Sequence, residues 1–286
     1  MRSFWTIFRF SSWRLRWTIL GWGIPLMLLG LITTPFYDLV AENERQLRPV
    51  IQGLKPLVKS FIGGEQAEEI FTPQGFLALR YFAFLPVILG IFASVAGSGM
   101  LATDEERGIL DFLLAHPAGR ASVFFGRLAA TICALVAILL LAWIGLWLGV
   151  LRAGSLHFPP GQILLPYISV LAVSTFFLSL SLALSMMMPS RVTAAMATGF
   201  LVLAGEILTN LAKAIAQLQP AAQFSPLTYF QANAMRGLHI QPVLGLLAIA
   251  LLLTGLAWLG FHRRDIRVAG DGGWKLPFLV RRKGGD

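Results

Sequence analysis

The stretch VFFGRLAATICALVAILLLAWIGLWLGVL, residues 123–151, decides the class of fold. It contains one charged residue, Arg127, and no proline. An apolar helix of about 20 residues crosses the hydrocarbon core of a bilayer, because each residue adds about 1.5 Å to its length. The stretch therefore predicts a transmembrane helix. Transmembrane strands would show segments of about ten residues with alternating hydrophobicity, which is not the pattern found here.

Five other stretches share this apolar composition and near absence of charge. They cover residues 17–36, 76–101, 163–188, 192–211 and 243–261. Each is long enough to span a bilayer as a helix. The sequence therefore predicts an all-α fold, a polytopic membrane protein with six transmembrane helices.

The composition of the whole chain supports this class. Hydrophobic residues make up 56% of the 286 residues and charged residues 13%, whereas an ordinary soluble domain is about 25% charged. These figures exclude a disordered chain. They also argue against a soluble globular protein, because such a protein would expose a large, aggregation-prone apolar surface. The single cysteine, Cys133, allows no internal disulfide and no cysteine-based metal cluster.

The distribution of Lys and Arg predicts the orientation in the membrane. If both termini are cytoplasmic, 15 of the 23 basic residues lie on the cytoplasmic side and 8 lie outside. Cytoplasmic segments of membrane proteins collect Lys and Arg, so this orientation is favoured. The same rule explains the net charge of +9, and we expect lipid rather than nucleic acid as a partner. The expected location is the inner or plasma membrane.

The segments outside the spans complete the predicted organisation. Residues 1–16 mix aromatic and arginine side chains and suit an amphipathic helix at the membrane surface. A transmembrane domain is expected over residues 17–262, with an outer connection at 37–75 that holds one or two short amphipathic helices. Residues 263–286 are expected to form a basic cytoplasmic tail.

The connection between the second and third predicted spans is rich in charge. It reads TDEERGILDFLLAHPAGR, residues 103–120. Thr103 and Glu106 have the spacing of a capping box, and acidic residues favour the first turn of a helix. Arg107 and Asp111 are four residues apart and can pair, whereas Pro117 stops a helix. The pattern predicts a short, capped, amphipathic helix on the cytoplasmic face. The structural alternative is a polar helix that only anchors two spans.

This connection resembles the signature region of ABC-2-type transporter permeases. In that region an acidic pair, Arg-Gly, an apolar helix and a Pro-x-x-Arg ending follow the second span. The matching residues here are Glu105, Glu106, Arg107, Gly108, Leu110, Leu113, Leu114, Pro117 and Arg120. Ile109 and Gly119 depart mildly from the usual Thr and Ser. The resemblance extends over nearly the whole chain and is strongest from Leu57 to Leu128.

The resemblance implies a function and a set of partners. Such a permease pairs with a second permease chain, here expected to be a homodimer, and docks two copies of a separate ATP-binding subunit. Substrate usually moves outward. The residues expected to couple the permease to the ATPase are Asp104, Glu105, Glu106, Arg107, Gly108, Asp111, Leu113, Leu114, Pro117 and Arg120.

The chain lacks a phosphate-binding loop of its own. The pattern G-x-x-x-x-G-K-[ST] requires a lysine between Gly and Ser or Thr, and none of the five lysines is in that position. We therefore expect no cofactor in this chain, ATP and Mg²⁺ on the partner subunit, and no enzyme activity of its own. A membrane-embedded lipid-modifying enzyme and an ion-driven secondary transporter are the alternatives.

Three polar residues inside the predicted spans are candidates for the transport pathway. Glu206 lies in the fifth span, where a carboxylate costs about 2.5–3.5 kcal/mol at mid-bilayer and so should face a wet cavity or the bundle interior. Ser174 and Ser181 belong to a hydroxyl-rich fourth span. The structural alternative is a hydrogen-bonded carboxyl for Glu206 and helix packing for the two serines.

Overall fold

The computed structural model describes residues 2–53, 69–106 and 119–263. All regular elements in these ranges are helical. Six of the helical segments are long and apolar enough to cross a membrane. The predicted all-α architecture with six transmembrane helices is therefore confirmed.

The first helix is longer than the sequence predicts. Helix α1 runs without interruption over Arg2–Glu42. The sequence predicts a separate interfacial helix over residues 1–16, whereas the described residues 2–16 are the first part of α1. Pro25 and Pro35 lie inside the helix. A helix α2 follows at Glu44–Gln52, which agrees with the expected short helix in the outer connection, and residues 54–68 of that connection lie outside the described residues.

The second span is built from two helical pieces. Helix α3 covers Pro73–Arg80 and begins at Thr72, whose side chain caps it by accepting a hydrogen bond from the Gly75 N–H at 3.1 Å. A short 3₁₀ turn at Phe82–Phe84 leads into helix α4, Leu85–Glu106. The predicted capping box at Thr103 is wrong, because α4 continues through Thr103 to Glu106. A helix cap requires a non-helical backbone, and Thr103 lies in the last turns of α4 instead.

Four more long helices and a folded connection complete the chain. They are α5 over Arg120–Arg152, α6 over Pro160–Met187, α7 over Arg191–Ala214 and α9 over Ile240–Arg263. The connection between α7 and α9 holds short 3₁₀ turns and helix α8, Gln219–Ala222. The predicted spans agree with these helices within a few residues.

The two ends of the bundle are named here by their residues. The base is the end where α1 begins and α9 ends, and the Ser3 and Ser122 hydroxyl groups lie 3.2 Å apart there. The top holds α2, α3 and the connection between α7 and α9. Asp38 lies at the top and accepts hydrogen bonds from the backbone N–H groups of Gly154 and Ser155 at 3.3 and 3.1 Å.

Helices α1 and α5 pack closely because glycine lines their contact. A Cβ atom at Gly145 would overlap the backbone of Met27, and one at Gly30 would lie 2.7 Å from the backbone nitrogen of Leu146. In a lipid environment small residues allow helix backbones to approach and gain van der Waals contact. Gly145 of α5 and Gly30 of α1 therefore serve a helix contact within this chain.

Buried tyrosine hydroxyl groups join three helical segments near the top. Tyr81 and Tyr167 are almost completely buried, and their hydroxyl oxygens are 2.9 Å apart. Tyr81 donates a hydrogen bond to the carbonyl of Ala142 at 3.2 Å, which leaves Tyr167 as the donor to Tyr81. Buried polar groups need such partners, so the pair fixes the second span against α5 and α6.

Candidate functional site

The base of the bundle carries both ends of the predicted coupling segment. Residues 104–106 form the end of α4, and α5 begins at Arg120. Arg107, Gly108, Asp111, Leu113, Leu114 and Pro117 lie outside the described residues. Asp104, Glu105 and Glu106 are thus placed in a helix, but as its C-terminal turn and not as the first turn that the sequence predicted.

The end of α4 is attached to the beginning of α7. Arg191 is the first residue of α7, and its guanidinium Nη1 donates a hydrogen bond to the Thr103 hydroxyl at 3.0 Å. Ser190 caps α7 by accepting a hydrogen bond from the Thr193 N–H at 3.2 Å. The cap fixes the first turn of α7, and this turn carries the arginine that holds Thr103.

The beginning of α5 is attached to the end of α9. Arg120 donates hydrogen bonds from Nη1 to the backbone carbonyl groups of Phe261 and His262 at 3.3 and 3.0 Å. The last carbonyl groups of a helix accept no hydrogen bond from within the helix, and they carry its partial negative charge. Arg120 therefore satisfies the end of α9. Both boundaries of the segment 104–120 are thus connected to a further span.

The top of the bundle contains a polar cavity of about 590 Å³. Glu206 lines it, together with Asn210 and Lys213 from the same face of α7. Asn210 Nδ2 donates a hydrogen bond to Glu206 Oε1 at 2.7 Å, and Lys213 Nζ donates to Asn210 Oδ1 at 3.0 Å. The carboxylate is half-buried. The Glu206 side chain lines a polar cavity and also accepts a hydrogen bond from Asn210. The geometry is therefore compatible with a pathway group and with a hydrogen-bonded structural carboxyl.

The connection between α7 and α9 forms the opposite wall of this cavity. Gln231 accepts a hydrogen bond from the His239 N–H and donates one to the His239 carbonyl, both at 2.8 Å. Arg236 lies on the same wall and pairs with Glu69 at 3.3 Å. The cavity thus offers carboxylate, ammonium, guanidinium and amide groups, which can bind a polar solute.

The two candidate serines of α6 lie in the interior of the bundle and are not part of the described lining of this cavity. Ser181 is fully buried and donates a hydrogen bond to the Ser94 carbonyl at 2.6 Å. Ser174 is also fully buried, and its hydroxyl has no protein partner among the described residues. Ser181 connects α6 to α4, and the structure brings neither serine together with Glu206.

Sequence reasoning missed two arginines at the base. In the sequence, Arg127 and Arg191 contribute only to the charge distribution that predicts orientation. Arg127 is buried and donates a hydrogen bond to the Met100 carbonyl at 3.1 Å. The available signal was its position, because it stands two turns inside an apolar helix, between FFG and LAA. A charge at such a place is expected to face other protein groups.

The comparison with protein families agrees with this architecture. Residues 42–266 match the family model described as ABC-2 family transporter protein. The chain belongs to this family of ABC-2 transporter proteins. The match includes the last five of the six spans of this ABC-2 transporter chain, the segment 104–120 and the polar cavity at the top. A comparison with curated proteins finds no match.

Family membership gives the chain its general role. It is a membrane component of a transport system, and the family implies partnership with an ATP-binding subunit. The six spans of the ABC-2 chain supply a multi-pass membrane domain.

Proposed function

We propose that the chain is the permease subunit of an ABC exporter, and that the segment 104–120 couples it to a separate ATP-binding subunit. The observation that carries this proposal is the attachment of both ends of the segment to other spans. Thr103 is held by Arg191 of α7, and Arg120 is held to the end of α9.

These attachments supply a route for force. A displacement of the segment acts on α4 and α5 through the backbone, and on α7 and α9 through the two arginines. Closely packed helices move as units rather than deform, so a small displacement at the base alters how the spans pack. In the proposed cycle, ATP binding by the partner displaces the segment and the spans respond by opening the pathway to the other side.

The proposed assembly contains two permease chains, as a homodimer, and two ATP-binding subunits. The partner holds ATP and Mg²⁺ and hydrolyses the nucleotide. Support comes from family membership and from the sequence, which contains no G-x-x-x-x-G-K-[ST] pattern.

The proposed orientation places the base in the cytoplasm of the inner or plasma membrane. The excess of Lys and Arg in the segments that would be cytoplasmic supports it. The N-terminal and C-terminal residues then share the cytoplasmic side, and the cavity around Glu206 lies toward the outside.

The cavity at the top is proposed as the outer part of the substrate pathway. Glu206 and Asn210 present a polar face within a span, and the opposite wall is formed by the connection that carries Gln231 and Arg236. An intramembrane carboxylate is costly unless it is solvated or paired, and the position of Glu206 at a polar cavity supports a role in transport. Ser174 and Ser181 are proposed only as neighbours of this pathway, within the packed bundle.

Copurification and reconstitution test the proposal. The full-length chain is expressed with its native ATPase partner, purified, and assayed in liposomes for ATP hydrolysis and for substrate-stimulated turnover. We expect an ATPase to copurify, and Arg107→Glu to uncouple hydrolysis from transport. Arg45→Glu, at the top in α2, is the matched control and should leave coupling intact.

Two results would contradict the proposal. Activity of the purified chain without any ATPase would favour a membrane enzyme or an ion-driven transporter. Coupled transport by Arg107→Glu at the wild-type rate would remove the segment 104–120 from the coupling route.

A further inference from the structure

Helices α1 and α5 run parallel and touch over most of their length. A Cβ atom added at Gly23 would lie 2.5 Å from the Leu141 side chain, and one at Gly126 would lie 3.1 Å from Ile7. Together with the glycine contacts described above, these approaches extend from the base toward the top of the bundle. Helices that meet through glycine lie so close that neither has room to move alone.

Hydrogen bonds also join α1 and α5 at both ends. The Ser3 and Ser122 hydroxyl groups are 3.2 Å apart at the base. At the top, Asp38 of α1 accepts hydrogen bonds from two backbone N–H groups that follow α5. Because glycine contacts lie between these ends, the two helices form one unit, named here the α1–α5 pair.

Helices α4, α6, α7 and α9 form a second unit. A Cβ atom at Gly97 of α4 would overlap the Leu178 carbonyl group of α6, and one at Gly90 would lie 2.9 Å from a side chain of α7. The Thr254 hydroxyl group of α9 donates a hydrogen bond to the Ser179 hydroxyl group of α6 at 3.0 Å. Small residues and hydroxyl groups thus join these helices closely, and they are named here the four-helix unit.

The glycine contacts respect the boundary between the two units. In the part of the chain that the structure describes, the nearest atoms to the glycines of α1 and α5 lie within the α1–α5 pair. The nearest atoms to the glycines of α4, α6 and α9 lie within the four-helix unit. The closest approaches of backbone are therefore made inside each unit.

Long side chains make contacts across this boundary. Arg127 of α5 reaches the Met100 carbonyl group of α4 at 3.1 Å. The rings of Trp22 of α1 and Phe92 of α4 are 5.6 Å apart. Side chains with several torsion angles can follow a small displacement of the helix that carries them, whereas an overlap of backbone atoms cannot be relieved in this way. The boundary is therefore the place where the spans can slide.

A cavity of about 210 Å³ lies at the boundary near the base. Phe10 and Thr18 of α1 line one side of it, and Ala96 and Gly99 of α4 line the other. Protein interiors contain few voids larger than a water molecule. This space allows the base of the α1–α5 pair to move toward α4 without overlap.

The boundary is tightly packed nearer the top. Tyr81 donates a hydrogen bond to the Ala142 carbonyl group of α5, and both residues are fully buried. Tyr167 of α6 holds the Tyr81 hydroxyl group in place. Ala142 lies 22 residues after the start of α5, which is about 33 Å along the helix. A small rotation about the tyrosine contact therefore displaces the base of α5 much more than the top.

We infer that the α1–α5 pair rocks as a rigid unit against the four-helix unit, about the contact between Tyr81 and Ala142. The base of the pair moves into the cavity in one state and away from it in the other. The segment 104–120 connects α4 of one unit to α5 of the other, so a displacement of this segment drives the rocking. That last consequence rests on the proposed function, whereas the division into two units does not.

Distances between spin labels test the inference on the full-length chain in lipid nanodiscs. Labelled chain with Cys133→Ala is diluted with unlabelled chain, and double electron–electron resonance gives the distance distributions. Arg9→Cys with Leu151→Cys reports on the α1–α5 pair, Val192→Cys with Leu259→Cys on the four-helix unit, and Arg9→Cys with Leu259→Cys on the boundary. All four positions are exposed. We expect the distribution across the boundary to be broader than the other two by about 2 Å, the size of helix shifts in conformational transitions.

A variant that fills the cavity tests its part in the motion. Ala96 lines the cavity, so Ala96→Phe should hold the α1–α5 pair in one position. The distribution across the boundary should then narrow to the width of the other two. Ala248→Phe adds the same ring at an exposed position of α9 and is the matched control. It should leave all three distributions unchanged.

Three results would overturn the inference. Equal widths of the three distributions before any cavity is filled would mean that the six spans move as one unit. A distribution within the α1–α5 pair as broad as that across the boundary would mean that the pair is not rigid. Equal narrowing by Ala96→Phe and Ala248→Phe would remove the cavity from the motion. These measurements need no ATP-binding subunit, so they are decided separately from the proposed function.

Discussion

Arg120 at the start of α5 donates a hydrogen bond to the carbonyl of His262 at the end of α9, at 3.0 Å. The two residues are 142 positions apart in the sequence. The contact joins the C-terminal boundary of the segment 104–120 to the last span. In the proposed coupling route, the contact between Arg120 Nη1 and the His262 carbonyl oxygen connects the segment to α9.

Replacement of Arg120 tests that side of the route. Arg120→Gln should reduce ATP-driven transport several-fold while ATP hydrolysis continues, because the charge-assisted hydrogen bonds to the end of α9 are lost. Transport and hydrolysis are measured together in liposomes. Arg152→Gln, at the opposite end of the same helix, is the control. Unchanged transport per ATP in Arg120→Gln would contradict the role of this contact.

Glu206 is tested by removal of its charge. Glu206→Gln should lower the transport rate by about tenfold and leave expression and thermal stability close to wild type, because glutamine keeps the size and the hydrogen bond to Asn210. Glu42→Gln removes a carboxylate from the exposed end of α1 and serves as control. Normal transport by well-folded Glu206→Gln would exclude the carboxylate from the pathway.

The close contact of α1 and α5 predicts that alanine substitutions at two glycines differ in their effect on stability. Gly145→Ala should destabilise the chain by about 1–3 kcal/mol, because the added methyl group overlaps the Met27 backbone. A Cβ atom at Gly245 in α9 meets no atom within 4 Å, so Gly245→Ala should be neutral or stabilise by up to about 1 kcal/mol. Unfolding in mixed micelles measures both, and equal effects would contradict the described packing.

The buried tyrosine pair predicts a non-additive effect. Tyr81→Phe and Tyr167→Phe each remove one hydroxyl group, and the double variant should be less unstable than the sum by about 0.5–1.5 kcal/mol. The exposed Tyr229 provides the control pair, because Tyr229→Phe combined with Tyr167→Phe should be additive. Additivity of Tyr81→Phe and Tyr167→Phe would mean that the two hydroxyl groups do not interact.

The six spans could be predicted because lipid imposes a simple requirement on sequence. Residues 123–151 and the other apolar runs must be long, predominantly apolar helices, and α5 and its neighbours have nearly the predicted limits. The continuity of α1 could not be predicted in this way. Residues 2–16 have an interfacial composition, yet the backbone hydrogen bonds of a helix continue wherever nothing interrupts them.

The details at the base depend on contacts between distant parts of the chain. Thr103 has the local sequence of a helix cap, but α4 extends past it and Arg191, 88 residues later, binds its hydroxyl group. By its sequence position alone, Arg127 is one more basic residue near a membrane surface. Its burial against Met100 arises only when α4 and α5 pack, and such packing has no local signature.

Cross-linking of the segment 104–120 to the ATP-binding subunit tests the central claim most directly. The chain has one cysteine, so Cys133→Ala gives a background in which Asp111→Cys is the only thiol of the permease. Gln46→Cys, in α2 at the top, is the control position. The account predicts a cross-link from position 111 to the ATPase that changes in yield on ATP binding, and none from position 46. A cross-link from position 46 with none from position 111 would contradict it.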